Sequence, residues 1–118
     1  MLVTGGAGFI GFAIARHLRD LGAHVTVLDV KVSLPNYATA TDKKTIGYAE
    51  GSVTSMKTVA SVMVQKKIRT VFHLAAEAIV GKSLKDPIAT LETNVVGTWI
   101  VLDAARGHKR VEEIVVAS

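Results

Sequence analysis

Cysteine is missing from this 118-residue chain, which excludes disulfides and thiolate metal centres and suits a reducing, cytoplasmic setting. Proline appears only 2 times and aromatic residues make up 5% of the sequence, against 10 glycines; the balance is neither that of a disordered segment nor that of a low-complexity one. Long apolar runs are lacking too. Glycines and charges interrupt each run before it reaches the roughly 20 residues that cross a bilayer. The opening Met1-Leu2-Val3-Thr4 has neither the charged nor the long apolar region of a secretion signal. A soluble chain with no membrane partner is expected. Lys and Arg outnumber Asp and Glu by 14 to 10, and the pI is near 9.6, yet no continuous basic stripe forms. Arg16 and Arg19, Lys43 and Lys44, Lys66, Lys67 and Arg69, and Arg106, Lys109 and Arg110 are scattered, without interleaved aromatics. Solvated helix ends account for them, and no nucleic-acid partner is expected.

What is present is apolar bulk. Hydrophobic residues make up 49% of the chain, the mean hydropathy is +0.37, and the excess lies in Val, Ala, Ile and Leu. This suffices for one compact domain, spanning residues 1–118, with no linker or internal repeat. It also suits a parallel sheet buried on both faces.

Along the chain, strand and helix patterns alternate. Leu2-Val3-Thr4 reads as a short buried strand running into Gly5-Gly6-Ala7-Gly8-Phe9-Ile10-Gly11. A helix follows, with Ile10, Ile14, Leu18 and Leu21 as its apolar stripe and Gly22 as its stop. His24 to Asp29 is β-branched and apolar and reads as the second strand. Val30 to Lys44 is polar and irregular, a mobile loop or a short broken helix. A third, edge strand is expected over Thr45–Ala49, a helix from about Ser55 to Lys67 with Val59, Val62 and Met63 inward, and a fourth strand over Thr70–Ala75. Gly81 to Asp86 reads as a loop. Asp86 then caps a helix with Pro87 at its first position, expected to run to about Arg106, and Glu112 to Ala117 makes a fifth strand. Right-handed crossovers between such units give a doubly wound α/β sheet in the order 3-2-1-4-5.

The glycine segment fits two registers, Gly6-x-Gly8-x-x-Gly11 and Gly5-x-x-Gly8-x-x-Gly11. In either, the first glycine makes a tight turn, Gly8 lets the backbone approach a pyrophosphate, and Gly11 lets the helix pack closely on the strand. Free N–H groups and the positive end of the helix dipole then face the phosphates. Asp29 closes the next strand 18 residues after Gly11, where a carboxylate can accept hydrogen bonds from an adenosine ribose. The same carboxylate repels a 2′-phosphate, which favours NAD over NADP, although Lys31 sits two residues on.

Three stretches, Thr4-Gly5-Gly6-Ala7-Gly8-Phe9-Ile10-Gly11, His73-Leu74-Ala75-Ala76 and Thr93-Asn94-Val95-Val96-Gly97-Thr98, resemble the N-terminal half of the extended short-chain dehydrogenase/reductase family. Val80-Gly81-Lys82-Ser83 with Asp86-Pro87 is most similar to the nucleotide-sugar epimerases and dehydratases of that family, UDP-glucose 4-epimerases foremost. The resemblance covers essentially the whole chain and implies a Rossmann-like NAD-binding domain. Carried over by position, Gly5, Gly8, Phe9, Ile10 and Gly11 would cradle the pyrophosphate and Asp29 the adenosine ribose. Ser52 and Val53 stand where the family has an aspartate and a small aliphatic residue beside the adenine. Leu74, Ala75 and Ala76 would run under the nicotinamide half, supported by Asn94. His73 reads as a structural histidine, and neither a metal site nor a metal is expected.

The family's catalytic residues are a Ser or Thr just after the fifth strand and a Tyr-x-x-x-Lys pair on the next helix. Residues four beyond Tyr37 and Tyr48 are Thr41 and Ser52, and Ser118 is the last residue. The chain is therefore expected to be the NAD-binding part of an NAD-dependent epimerase or dehydratase that takes a nucleotide sugar only in a longer chain and does not turn over alone. The alternative is a stand-alone dinucleotide-binding module or sensor. Apolar residues on more than one face of the 86–106 helix, and an unpaired last strand, lead to an expectation of self-association through either.

Overall fold

A computed structural model describes residues 1–31 and 34–117. Val32 and Ser33, inside the expected 30–44 loop, and Ser118 lie outside the described residues. The chain order is β1 (Leu2–Thr4), α1 (Phe9–Asp20), β2 (Thr26–Asp29), α2 (Ala40–Thr45), β3 (Gly47–Glu50), α3 (Met56–Gln65), β4 (Thr70–His73), α4 (Val80–Lys85), α5 (Pro87–Leu91), a π-helical turn (Glu92–Val96), α6 (Gly97–Gly107) and β5 (Glu113–Val116). All pairings are parallel, in the order β3-β2-β1-β4-β5. The sheet is the Rossmann-like, doubly wound one expected.

Period-two alternation sends successive strand residues to opposite faces and so builds two cores. Leu2, Leu28 and Val71 join Val59, Val62 and Met63 of α3 and Val101, Ala104 and Ala105 of α6. Val3, Val25 and Val27 meet Phe12 and Ala15 of α1 on the other side. The face α1 buries coincides with the expected stripe only in part. Gly11, Phe12 and Ala15 are buried, whereas Ile10 and Leu21 are 63% and 72% exposed. Small side chains at 11 and 15 allow the helix axis close to the sheet, with Phe12 fully buried and Ile14 and Leu18, the middle of the expected stripe, packed against the same core.

Two further elements depart from the sequence pattern. Of the expected loop from Gly81 to Asp86, residues 81–85 belong to the short helix α4, and Asp86 follows it. Glu77 closes that turn by accepting from the Ile79 amide at 3.1 Å and pairing with Lys82 Nζ at 3.1 Å. Asp86 caps α5 through the Ala89 amide at 3.0 Å, with Pro87 leading, but the helix widens to a π-turn before continuing as α6 to Gly107. Of the two alternatives for the 30–44 stretch, the short helix is found in part of it: α2 carries a full capping box between Thr39 and Asp42, so local hydrogen bonds order that part.

Asp42 is the only charged residue among the described residues that is fully buried. Arg19 reaches its Oδ1 at 2.6 Å, Arg16 lies 3.4 Å from the same oxygen, and the Thr39 amide and hydroxyl both donate to Oδ2 at 2.8 Å. The cluster ties α2 down onto α1.

Candidate functional site

The carboxyl ends of β1, β2 and β4 meet at the glycine turn, the crevice where doubly wound sheets take ligands. Gly5 has φ +68, a left-handed conformation that an L side chain rarely adopts. A Cβ there would sit 2.7 Å from the Ala75 nitrogen. At Gly6 it would meet the Val27 methyls at 2.7 Å, and at Gly11 it would strike the Gly5 carbonyl oxygen. The turn is thus a cradle from which side chains are excluded by neighbouring backbone and core. Gly8 N–H donates to Gly5 C=O at 3.1 Å and shapes the bend.

Helix α1 starts at Gly8 without a side-chain cap and with no acidic residue in its first turn. Phe12 N–H, 2.9 Å from Gly8 C=O, makes the first intrahelical bond. The amides of Phe9, Ile10 and Gly11 therefore sit uncommitted at the positive end of the dipole. Asp29 is brought directly beside them: its Oδ2 accepts from the Ala7 amide at 2.9 Å and its Oδ1 from the Lys31 amide at 3.0 Å. Each carboxylate oxygen retains a lone pair for a hydroxyl. A cavity of about 680 Å³ opens next to this corner, between Ala7, Phe9, Val30, Lys31 and the 34–37 segment.

The remaining predicted residues divide. Ser52 Oγ is 2.8 Å from Thr54 Oγ1 and accepts from the Thr54 amide at 3.1 Å, so its hydroxyl is already turned into its own loop. Val53 is 5% exposed and its side chain belongs to the core, where it fills the space that a Cβ on Gly97 would need. Leu74 and Ala75 are half-buried and Ala76 is exposed at the end of β4. The structure joins this segment to Asn94, whose Oδ1 accepts from Glu77 N–H at 2.8 Å and whose Nδ2 donates to Glu77 C=O at 3.2 Å. Sequence reasoning missed Thr4, Glu77 and Thr98, all polar residues in or beside apolar stretches. His73, expected as structural, is 2% exposed and bonds Thr4 on one side and Thr98 on the other.

Burial pushes the pKa of the His73 ring below its ordinary 6.5. The unfolded chain then binds the extra proton first, so stability is full above about 6.5 and declines as the pH falls from there toward the folded pKa. Urea midpoints are expected to be lower at pH 5.5 than at pH 7.5, and a His73→Gln variant to lose that difference. Equal wild-type midpoints at the two values would contradict the neutral, buried ring.

A parallel 3-2-1-4-5 sheet, a glycine cradle opening onto an uncapped helix and a carboxylate at the end of β2 define a Rossmann-like nucleotide-cofactor domain. The chain belongs to the NAD dependent epimerase/dehydratase family, whose pattern it matches over residues 1–118. It is 36% identical over 112 residues to a dTDP-glucose 4,6-dehydratase of Shigella flexneri, covering 92% of this chain and 31% of that protein. To a UDP-glucose 4-epimerase of Halalkalibacterium halodurans it is 34% identical, over 100% of this chain and 34% of the relative. Among solved structures, the Thermus thermophilus UDP-glucose 4-epimerase complex with NAD superposes with a TM-score of 0.82 at 31% identity, over 96% of this chain and 35% of that one. The chain thus spans about a third of the length of the relatives it matches.

Proposed function

We propose that this chain binds NAD and forms the cofactor-binding part of a nucleotide-sugar epimerase or 4,6-dehydratase. The observation that carries the reading is the Asp29 carboxylate, held by the Ala7 amide at 2.9 Å beside three uncommitted helix amides. The residues present fit the dinucleotide. Phe9, Ile10 and Gly11 would offer N–H groups to the pyrophosphate, Gly5 and Gly8 the close backbone approach, and Asp29 acceptors to the ribose diol. Leu74, Ala75 and Ala76 would floor the nicotinamide end, braced by Asn94. Ser52 and Val53 would flank the adenine through backbone more than side chain, given their existing commitments. When bound, NAD supplies a hydride acceptor for oxidation of the sugar. No Tyr-x-x-x-Lys occurs in the sequence, so proton transfer is not assigned to this chain, and purified chain is expected not to epimerise a UDP-hexose.

Calorimetry tests the cofactor reading. NAD is expected to bind at 1:1 and at least about tenfold more tightly than NADP, the ratio set by repulsion between Asp29 and a 2′-phosphate. A flat titration at millimolar NAD would overturn it.

Self-association belongs to the same reading. Ile88, Leu91, Val95 and Trp99 are exposed along α5, the π-turn and α6, Trp99 by 68%, and Val115 and Val116 stand exposed on the edge strand. Light scattering at high concentration is expected to give a mass above that of the monomer. A strictly monomeric mass, unchanged by a Trp99→Glu substitution, would count against both surfaces.

A further inference from the structure

Among the described residues, the cofactor reading leaves the buried titratable His73, at the end of β4, without a task. Its Nδ1 lies 2.7 Å from Thr4 Oγ1 and its Nε2 lies 2.9 Å from Thr98 Oγ1. The direction of each bond follows from counting protons. Thr98 Oγ1 donates its single proton to Asn94 C=O at 2.7 Å, so toward the histidine it can only accept. His73 Nε2 must then carry the ring hydrogen. Nδ1 is left bare and accepts from the Thr4 hydroxyl, and Thr4 Oγ1 in turn accepts from Ala75 N–H at 3.3 Å. The result is one directed circuit: Ala75 amide to Thr4, Thr4 to His73, His73 to Thr98, Thr98 to the Asn94 carbonyl.

Both ends of this circuit return to the same stretch of backbone. Thr4 holds the Ala75 amide, and Asn94, seated in the π-turn Glu92–Val96, holds the amide and carbonyl of Glu77. Single π-turns within helices recur at functional sites. The held stretch also faces the cradle, since the Ala75 backbone occupies the position 2.7 Å from a Cβ on Gly5. A few tenths of an ångström at Ala75 would therefore alter the gap between the glycine turn and the β4 end. Both threonines contact the ring while the ring itself is 2% exposed. A cationic ring would place a second donor against Thr4, which already accepts from Ala75, and would force the hydroxyl to find another acceptor.

We propose that His73, as a neutral ring protonated on Nε2, is a positioning residue that locks the glycine-turn threonine to the Asn94 clamp and sets the 75–77 backbone for the dinucleotide. The proposal rests on the NAD reading and extends it to a side chain that touches no cofactor atom.

Its test uses the 118-residue chain, its Thr98→Val and Thr98→Ser variants, and Val101→Ala as a core-weakening control on the same helix. Long-range nitrogen NMR is expected to find the Nε2–H form in wild type and Thr98→Ser and to lose it in Thr98→Val. NAD affinity is expected to fall about tenfold in Thr98→Val, the scale of one net hydrogen bond, and to recover in Thr98→Ser. Val101→Ala is expected to lower the melting temperature while leaving affinity within about twofold. An Nδ1–H or charged ring in wild type at pH 8 would overturn the proposal. So would NAD affinity in Thr98→Val that stays within about twofold of wild type, or a loss of the same size in Val101→Ala. Failure of wild type to bind NAD would instead remove the reading beneath it, with the tautomer still showing whether the circuit exists.

Discussion

Gly11→Ala is expected to reduce NAD affinity by about a hundredfold and to destabilise the fold by roughly 2 kcal/mol, the middle of the range for overpacking. The atoms that a new Cβ would meet are all backbone: the Gly5 carbonyl oxygen and carbon, the latter at 2.9 Å, and Gly6 Cα at 2.8 Å. None can rotate away as a side-chain tip could. Relief requires the start of α1 to lift from the turn, carrying the Phe9 and Ile10 amides away from the place where they and the Ala7-bound Asp29 carboxylate converge. Affinity should thus fall further than stability alone would dictate. Gly81→Ala makes the contrast, because a Cβ there meets open space and alanine is the better helix former. It is expected to leave NAD binding unchanged and to raise the melting temperature slightly. Calorimetry and thermal denaturation on the two variants check both halves.

Asp42→Asn is expected to cost about 3 kcal/mol, near the lower bound for breaking a buried ion pair, and to lower the melting temperature by roughly 10 °C at this chain length. Arg19 donates to Oδ1 and the Thr39 amide and hydroxyl donate to Oδ2, while the Arg16 cation lies 3.4 Å from Oδ1. An amide nitrogen in either position would oppose a donor, and Arg19 would lose its buried counter-charge. Burial alone would raise the Asp42 pKa, but the Thr39 hydrogen bonds and the two arginines outweigh it and bring the group to about 2 from 3.8. A depressed carboxylate stabilises above its unfolded pKa, so this contribution is whole above about pH 4 and lost as the pH falls from there to 2. Acid unfolding should therefore show an early decline from His73 below 6.5 and a later one from Asp42. The variant should lack the later one.

Much of the fold was legible because the signals were local. Strands of consecutive apolar residues, glycine stops and the Asp86-Pro87 helix start gave the alternation, and alternation with right-handed crossovers leaves few sheet orders. The misreadings arose where tertiary contacts or single side chains decide. Counting large apolar residues pointed to Ile10, Ile14, Leu18 and Leu21, of which only Ile14 and Leu18 pack on the core, because close packing on the sheet selects small residues at 11 and 15 around Phe12. The stretch from Gly81 to Asp86 read as a loop, whereas residues 81–85 form a helix that the Glu77 tie to Ile79 and Lys82 closes.

For the site, the glycine motif and Asp29 were visible at a distance because their spacing reflects one strand-turn-helix-strand unit. The Ala7 amide bond that orients Asp29 is not a spacing property and appeared only in three dimensions. Val53 shows the converse: the resemblance placed it beside the adenine, but packing against Gly97 commits its side chain to the core. The His73 circuit draws on three segments distant in sequence, residues 4, 73–77 and 94–98, so each member looked ordinary alone.

An amide-resolved NMR titration of the 118-residue chain with NAD tests the central claim most directly. Saturable shifts at Phe9, Ile10, Gly11, Lys31 and Ala75, sharing one dissociation constant and absent with NADP at the same concentration, are the predicted result. Shifts absent at millimolar NAD, or confined to residues away from the glycine turn and the end of β2, would contradict it.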